Sequence, residues 1–362
     1  MKIVINTQYA ALLPVAAQLV AQLVELNFEV ELSEFPQFNR ADLAEKLYLE
    51  LLPGEQAGSG WAERHKLYYC PTDPAAPTLI EQVLRWLPLD FEKLPLLIEG
   101  ESKEVRLWTD KVVVSRFKPT VYSYTMNRSG EAPGTEQSRL RFSAALFRRL
   151  SQLPSHNGVG FSSAFLAELV GPQGSLMVQR RVEVSNLEVR IKRYHIGSPL
   201  HRYRYTERYQ TVQQNGAPLG RWSRLEQPLV CFDWRHPLWD EQGNRLADEP
   251  LPDDYAGVWM ENVGYAKTLA RQTFLWLEKF FARGGVCLVD MCLLIDRTGR
   301  IIYGEISPDC MRLRLDLNHP ELAEAGAKDL WRIGGSAEQL QQHYEMLYER
   351  IFGEGLESIK NN

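Results

Sequence analysis

A glutamate, an aspartate and an arginine follow one another closely in Gly304-Glu305-Ile306-Ser307-Pro308-Asp309-Cys310-Met311-Arg312. Two apolar runs precede them, Val286 to Ile295 and Ile301 to Tyr303, separated by Asp296-Arg297-Thr298-Gly299. That is the pattern of a β-hairpin with a glycine-containing turn. The end of such a hairpin is a rigid platform. Its charges suit a metal or a hydroxyl at one end and a phosphate at the other. Taken alone, the segment also reads as a surface turn with scattered charges.

A second segment fits the same chemistry. Leu187 to His195 alternates apolar and charged residues, as a half-buried strand does. It then breaks at Gly197-Ser198, where backbone amides and a hydroxyl can meet an anion. Between Arg180 and Arg208 there are eight Lys or Arg against three Glu, in a chain whose net charge is −5. A local excess of this size points to a bound anion rather than to general basicity. A solvated strand face is the alternative.

In this order and spacing the segments resemble SAICAR synthetase (phosphoribosylaminoimidazole-succinocarboxamide synthetase). Glu188 to Arg202 is similar to that family's substrate-phosphate segment. Leu288-Val289-Asp290, followed by Glu305-Ile306-Ser307-Pro308-Asp309 and Arg312, is similar to its strand pair and acidic Ser-Pro-Asp motif. Glu99-Gly100-Glu101-Ser102-Lys103-Glu104-Val105 stands where the family has a glycine-containing hairpin with two lysines, and the helix expected over Val263 to Phe281 also fits. The resemblance spans roughly residues 95 to 355. It implies an α+β, two-lobed catalytic region (ATP-grasp or kinase-like in outline) with a ligand cleft between its lobes. It also implies ATP and Mg²⁺ as cofactors, and an activated carboxylate of a phosphoribosylated heterocycle that an amine such as an amino acid attacks to give an amide. Carried over, Lys192, Ser198 and Arg312 form the phosphate dock, with Arg193 and Arg202 as further cations. Asp309 accepts a ribose hydroxyl, Lys103 contacts nucleotide phosphates, and Asp290 and Glu305 act in catalysis and as metal ligands.

The chain departs from that pattern on the ATP side. Glu101 replaces one hairpin lysine, Leu294 and Gly304 replace two metal-binding carboxylates, and Cys292 replaces a lysine. Phe117 to Tyr122 replaces the family's Asp-Thr-Ser loop. Three readings follow. The first is an ATP-dependent ligase specialised for another substrate in a secondary pathway. The second is a phosphosugar enzyme working without ATP, with acid and base drawn from His195, His236, Asp240 and Glu305. The third is a non-catalytic binding or regulatory homologue. Val230 to Asp254, rich in aromatic and charged residues, is expected to shape an altered amine side, with Arg235 or Arg245 available for a carboxylate.

The elements that must position these groups are legible in outline. Residues 1–92 lie before the resemblance and read as a small α/β domain. Strands are expected at Lys2 to Thr7, Phe28 to Phe35 and Leu67 to Cys70, and helices at Ala10 to Leu26 and Thr78 to Leu87. Thr7-Gln8-Tyr9 follows the first strand where a glycine-rich loop would stand, so a dinucleotide or P-loop site is disfavoured. Residues 93–362 then form the catalytic region. It opens with short strands at Leu94 to Glu99, Glu104 to Trp108 and Lys111 to Phe117, followed by a polar loop from Tyr122 to Glu136. Gln227 to Asp254 reads as a long connection, and helices are expected at Leu140 to Leu150, 258–282 and 335–351.

Hydrophobic content of 44% and charged content of 24% in 362 residues are ordinary for a soluble chain of two or more domains. No secretory signal or membrane-spanning run is visible. The five cysteines contain no CxxC pair, and Cys287 and Cys292, in an apolar strand, read as reduced core residues, so the cytoplasm is the expected compartment. Small phosphorylated molecules and amines are the expected partners, rather than nucleic acid or membrane. The oligomeric state, homo-oligomer included, stays open.

Overall fold

The computed structural model describes residues 1–33, 45–54, 65–70, 73, 76–123, 128–155, 158–197, 203–209, 211–235, 240–242, 249–323 and 328–353. The chain divides into two compact units. The first comprises Met1–Lys118, Ala144–Gln152 and Ala164–Arg181; the second comprises Pro119–Ser143, Leu153–Ser163 and Val182–Asn362.

In the first unit four parallel strands lie in the order Val30–Leu32, Lys2–Asn6, Lys46–Pro53 and His65–Tyr69. Alternation sends Ile3, Ile5, Leu47, Leu49, Leu51 and Leu67 to one face. There they pack with Leu19 and Leu23 of the helix Leu13–Glu25, and with Val83 and Leu84 of the helix Leu79–Trp86. Thr78 caps the second of these helices by accepting from the Glu81 amide at 3.2 Å. The sheet holds one strand beyond the three expected, Lys46–Pro53.

A separate antiparallel sheet follows in the order Phe165–Gly171, Gly174–Arg180, Val112–Phe117, Lys103–Thr109 and Leu96–Glu99. Its Val112, Val114, Leu166, Leu176 and Val178 join the same apolar core as the parallel sheet. Inside this unit the Glu81 carboxylate is fully buried. It is held by Arg148, whose Nε lies 2.9 Å from Oε2 and whose other guanidinium nitrogen reaches Glu168 at 2.7 Å.

The second unit is built on a six-stranded antiparallel sheet ordered Glu249–Leu251, Arg224–Trp234, Val184–Tyr194, Cys287–Asp296 and Ile302–Tyr303, with Met311–Arg314 also paired to Cys287–Asp296. The hairpin expected at Val286 to Tyr303 forms, turning at Gly299 with φ +77°. Arg224–Trp234 is a strand where a loop was expected. Pro228 within it falls outside the paired register of that strand. Likewise Thr120–Ser123 pairs with Arg128–Glu131 within the expected polar loop.

The helix Val263–Ala282 buries Ala266, Leu269, Ala270, Phe274, Leu277 and Phe281, a stripe at helical spacing. The helix Ala337–Phe352 begins with a capping box at Ser336 and Gln339 and buries Leu340, Tyr344, Leu347 and Ile351, as its periodicity required. Among the described residues no helix is long and apolar enough to cross a membrane.

Candidate functional site

Three adjacent strands of the second unit bring the carried-over residues into one row. Lys192 on Val184–Tyr194 is register partner to Asp290 on Cys287–Asp296, and Asp290 is partner to Arg312 on Met311–Arg314. Register partners put their side chains on the same face. Lys192 Nζ therefore lies 3.1 Å, and an Arg312 terminal nitrogen 2.8 Å, from the same Asp290 Oδ2. Burial pushes the Asp290 carboxyl up, but Arg312 and Lys192 outweigh it and hold it well below the usual carboxylate range.

The row continues through Asp329. Arg312 Nε and Arg314 lie 3.0 and 2.7 Å from Asp329 Oδ2, and Arg332 bonds Oδ1. Four cations thus face two carboxylates, an excess of two positive charges on a largely buried surface. Such a patch is suited to a phosphate monoester.

Lys192 also donates to the Ile196 carbonyl at 2.9 Å. The chain then turns at Gly197 with φ +119°, and a Cβ there would lie 2.9 Å from Lys192 Nζ. The backbone strain demands glycine, and a Cβ would push the Lys192 ammonium from its place. Gly197→Ala is accordingly expected to weaken phosphate-ester binding about tenfold while melting shifts by only a few degrees; titration calorimetry alongside thermal unfolding measures both. Ser198 and Arg202, expected to complete the dock, lie outside the described residues, as do His236 and Arg245.

Arg193 is not part of the row. Successive strand residues face opposite ways, and Arg193 bonds Glu278 of the helix Val263–Ala282 at 2.6 and 2.5 Å, with further bonds to the Leu225 and Glu226 carbonyls. It fastens the helix to the sheet rather than facing the anion surface.

On the Lys192 side, Glu188 and Arg190 extend the polar face. Arg190 reaches Glu188 at 2.9 Å and Asp233 at 2.6 Å, and Arg235 reaches Glu188 at 3.2 Å. Arg235, considered for a substrate carboxylate, is thus engaged within this network. Burial raises the Glu188 pKa, but Arg235 and Arg190 bring it down to about 2. A carboxyl depressed on folding contributes stability above its unfolded value that is lost as pH falls toward the folded one. On the order of 1–2 kcal/mol is therefore expected to disappear between pH 6 and pH 3. Urea unfolding at the two pH values should show a smaller loss in Glu188→Gln.

Glu305 and Asp309 lie beyond the hairpin. Arg139, entirely buried, donates to both Glu305 oxygens at 2.9 and 3.2 Å, and Ser307 Oγ donates to Oε2 at 2.8 Å. Asp309 sits in a short 3-10 turn and accepts from the Tyr344 hydroxyl at 3.3 Å. Asp290 and Glu305, expected as metal ligands, do not fit a divalent ion in this arrangement, because fixed cations already engage both. In the first unit, Lys103 opens the strand Lys103–Thr109 with Nζ 4.7 Å from the Phe117 ring centroid, and Glu101 is exposed at the preceding turn. His195 Nε2 lies 3.2 Å from Glu207 of the short helix Arg204–Arg208, and Asp240 accepts from the Gln242 amide at 3.0 Å.

Sequence reasoning missed Arg139, Arg314, Asp329 and Arg332. Arg314 was within reach, since it stands two residues from Arg312 on a strand and so shares its face. Asp329 and Arg332 stand three apart, which marks them as partners of each other but not of the row; Arg139 carries no local signal.

The sequence pattern of SAICAR synthetase matches residues 96–347, more than half of the chain. The chain belongs to the SAICAR synthetase family. This is an α+β family of ATP-dependent ligases, and the SAICAR synthetase match begins at the antiparallel sheet and takes in the whole Lys192–Asp290–Arg312 row. A phosphoribosylaminoimidazole-succinocarboxamide synthase of Methanocaldococcus jannaschii is 24% identical over 237 residues, covering 65% of this chain and 84% of that enzyme. Bifunctional cordycepin biosynthesis cluster protein 3 of Cordyceps militaris is 24% identical over 286 residues, covering 68% of this chain but only 31% of its own length. Among solved structures, a SAICAR synthetase in complex with ADP superposes with a TM-score of 0.54 at 21% identity, over 71% of this chain and 97% of that one.

Proposed function

We propose that this protein is an ATP-dependent ligase that joins a carboxylate of a phosphoribosylated heterocycle to an amine such as an amino acid, in a specialised biosynthetic pathway. The observation that carries the reading is the cationic row of Lys192 and Arg312 about Asp290, extended by Arg314 and Arg332, within a member of this family. Lys192 and Arg312 would hold the sugar phosphate, with Ser198 and Arg202 completing the dock. Asp309 would accept a ribose hydroxyl. Lys103 would face the nucleotide phosphates, with Glu101 turned away, because a carboxylate beside a triphosphate is repelled.

In such a reaction the γ-phosphoryl group passes from ATP to the substrate carboxylate, leaving ADP. The amine nitrogen then attacks the acyl phosphate, the C–N bond forms, and phosphate and a proton leave. Fixed cations on the substrate side favour this by offsetting charge without reorganising.

Specialisation is supported by Glu101, Cys292, Leu294 and Gly304, which replace residues the purine reaction uses, and by likeness to a protein whose name places it in cordycepin biosynthesis. The test incubates the protein with ATP, a set of phosphoribosylated heterocyclic carboxylates and a panel of amino acids, following ADP and amide. ADP release with an acceptor pair other than the purine intermediate and aspartate is the expected result. Efficient turnover with that pair alone would overturn the specialisation. Phosphosugar binding with no ADP from any pair would favour chemistry without ATP, and neither binding nor turnover would favour a non-catalytic homologue.

A further inference from the structure

Glu305 leaves the hairpin just after Gly304, where φ is +79° and a Cβ would lie 3.2 Å from Leu294 Cδ1. Leu294 therefore occupies the space beside the turn with carbon, and neither position offers a side-chain oxygen. The Glu305 carboxylate is engaged on both oxygens by Arg139 and on one of them by Ser307. Asp290 Oδ2 is shared by Lys192 and Arg312. Magnesium demands near-octahedral oxygen geometry and is commonly held through one or two carboxylates free to turn toward it. Among the described residues no group of three or more His, Cys, Asp or Glu is placed to hold a metal ion.

We propose that Arg139 is the resident cation of this strand end. Its guanidinium engages Glu305 in place of a divalent ion, and the chain holds no magnesium through Asp290 and Glu305. A buried guanidinium lying bidentate on a carboxylate fixes both the charge and the orientation of that carboxylate. Its charge cannot be lost by deprotonation. The inference deepens the ligase reading, since any magnesium in the reaction would then enter on the nucleotide's own phosphates.

Two measurements on the full chain test it without substrate or turnover. In a manganese titration followed by electron paramagnetic resonance, wild type and Glu305→Gln are both expected to show no saturable binding up to about 1 mM ion. Saturable binding by wild type that Glu305→Gln removes would overturn the proposal. In thermal unfolding, Arg139→Met is expected to lower the melting temperature by roughly 10 °C, because it strands a buried carboxylate. Adding Glu305→Gln in that background should restore at least half of the loss, whereas strictly additive losses would sink the pairing. Should Arg139→Met fail to fold, the manganese comparison still decides. The ligase assay above reads ADP, so its failure is distinguishable from failure here.

Discussion

Arg312→Ala is expected to cut phosphosugar affinity about thirtyfold, roughly 2 kcal/mol. The same change should lower folding stability by about 3 kcal/mol. Arg312 bridges Asp290 at 2.8 Å and Asp329 at 3.0 Å, so its loss leaves one buried carboxylate with Lys192 alone and the other with Arg314 and Arg332. Titration calorimetry with a phosphoribosylated ligand reads the first effect and urea unfolding the second. Arg312→Lys separates them: it keeps the charge but not the fork that reaches both carboxylates, so affinity should recover only partly. Unchanged phosphosugar affinity in Arg312→Ala would remove this residue from the dock.

A comparable loss is expected in the first unit. Arg148→Met should destabilise the first unit by about 3 kcal/mol, a fall in melting temperature of roughly 6–12 °C. Glu81 is wholly buried there, and Arg148 supplies its best-placed donors. Arg85 also reaches Glu81, at 3.1 Å, but its side chain is 39% exposed and cannot replace the buried guanidinium. The pairing is tested by the double variant with Glu81→Gln, which should be more stable than Arg148→Met alone. Differential scanning calorimetry would show this, and equal melting of the two would count against it.

Much of the fold was legible because its elements obey short-range rules. The hairpin around Gly299 followed from two apolar runs and a glycine turn. The helix Ala337–Phe352 followed from the spacing of Leu340, Tyr344, Leu347 and Ile351. The strand Arg224–Trp234 was hidden because Gln227 to Asp254 reads as one long connection, and Pro228 within it stands outside the paired register. Lys192, Asp290 and Arg312 emerged from the resemblance, and strand pairing accounts for their meeting. Arg193 is instructive in the other direction. Its neighbour Lys192 already claimed one face, and the two-residue period of a strand excluded both from one site. Arg139 could not be found that way, for its partner Glu305 lies 166 residues away, and the pairing of Asp329 with Arg312 spans 17; nothing local marks a salt bridge at such range.

The first unit is made of three separate stretches of chain, the last ending at Arg181, and the second unit begins between them. During synthesis, then, neither can be finished in turn. The parallel sheet can pair soon after Tyr69 emerges, but its shared core lacks Leu166, Leu176 and Val178 until the ribosome has passed Arg181. For that interval Val112 and Val114 wait without part of their apolar cover, and the nascent chain is open to chaperone capture. The same interleaving bears on truncation. A fragment beginning at residue 93 would keep the antiparallel sheet yet strip it of Ile3, Leu19, Leu49 and Val83. Such a fragment is expected to aggregate rather than yield a free-standing ligase.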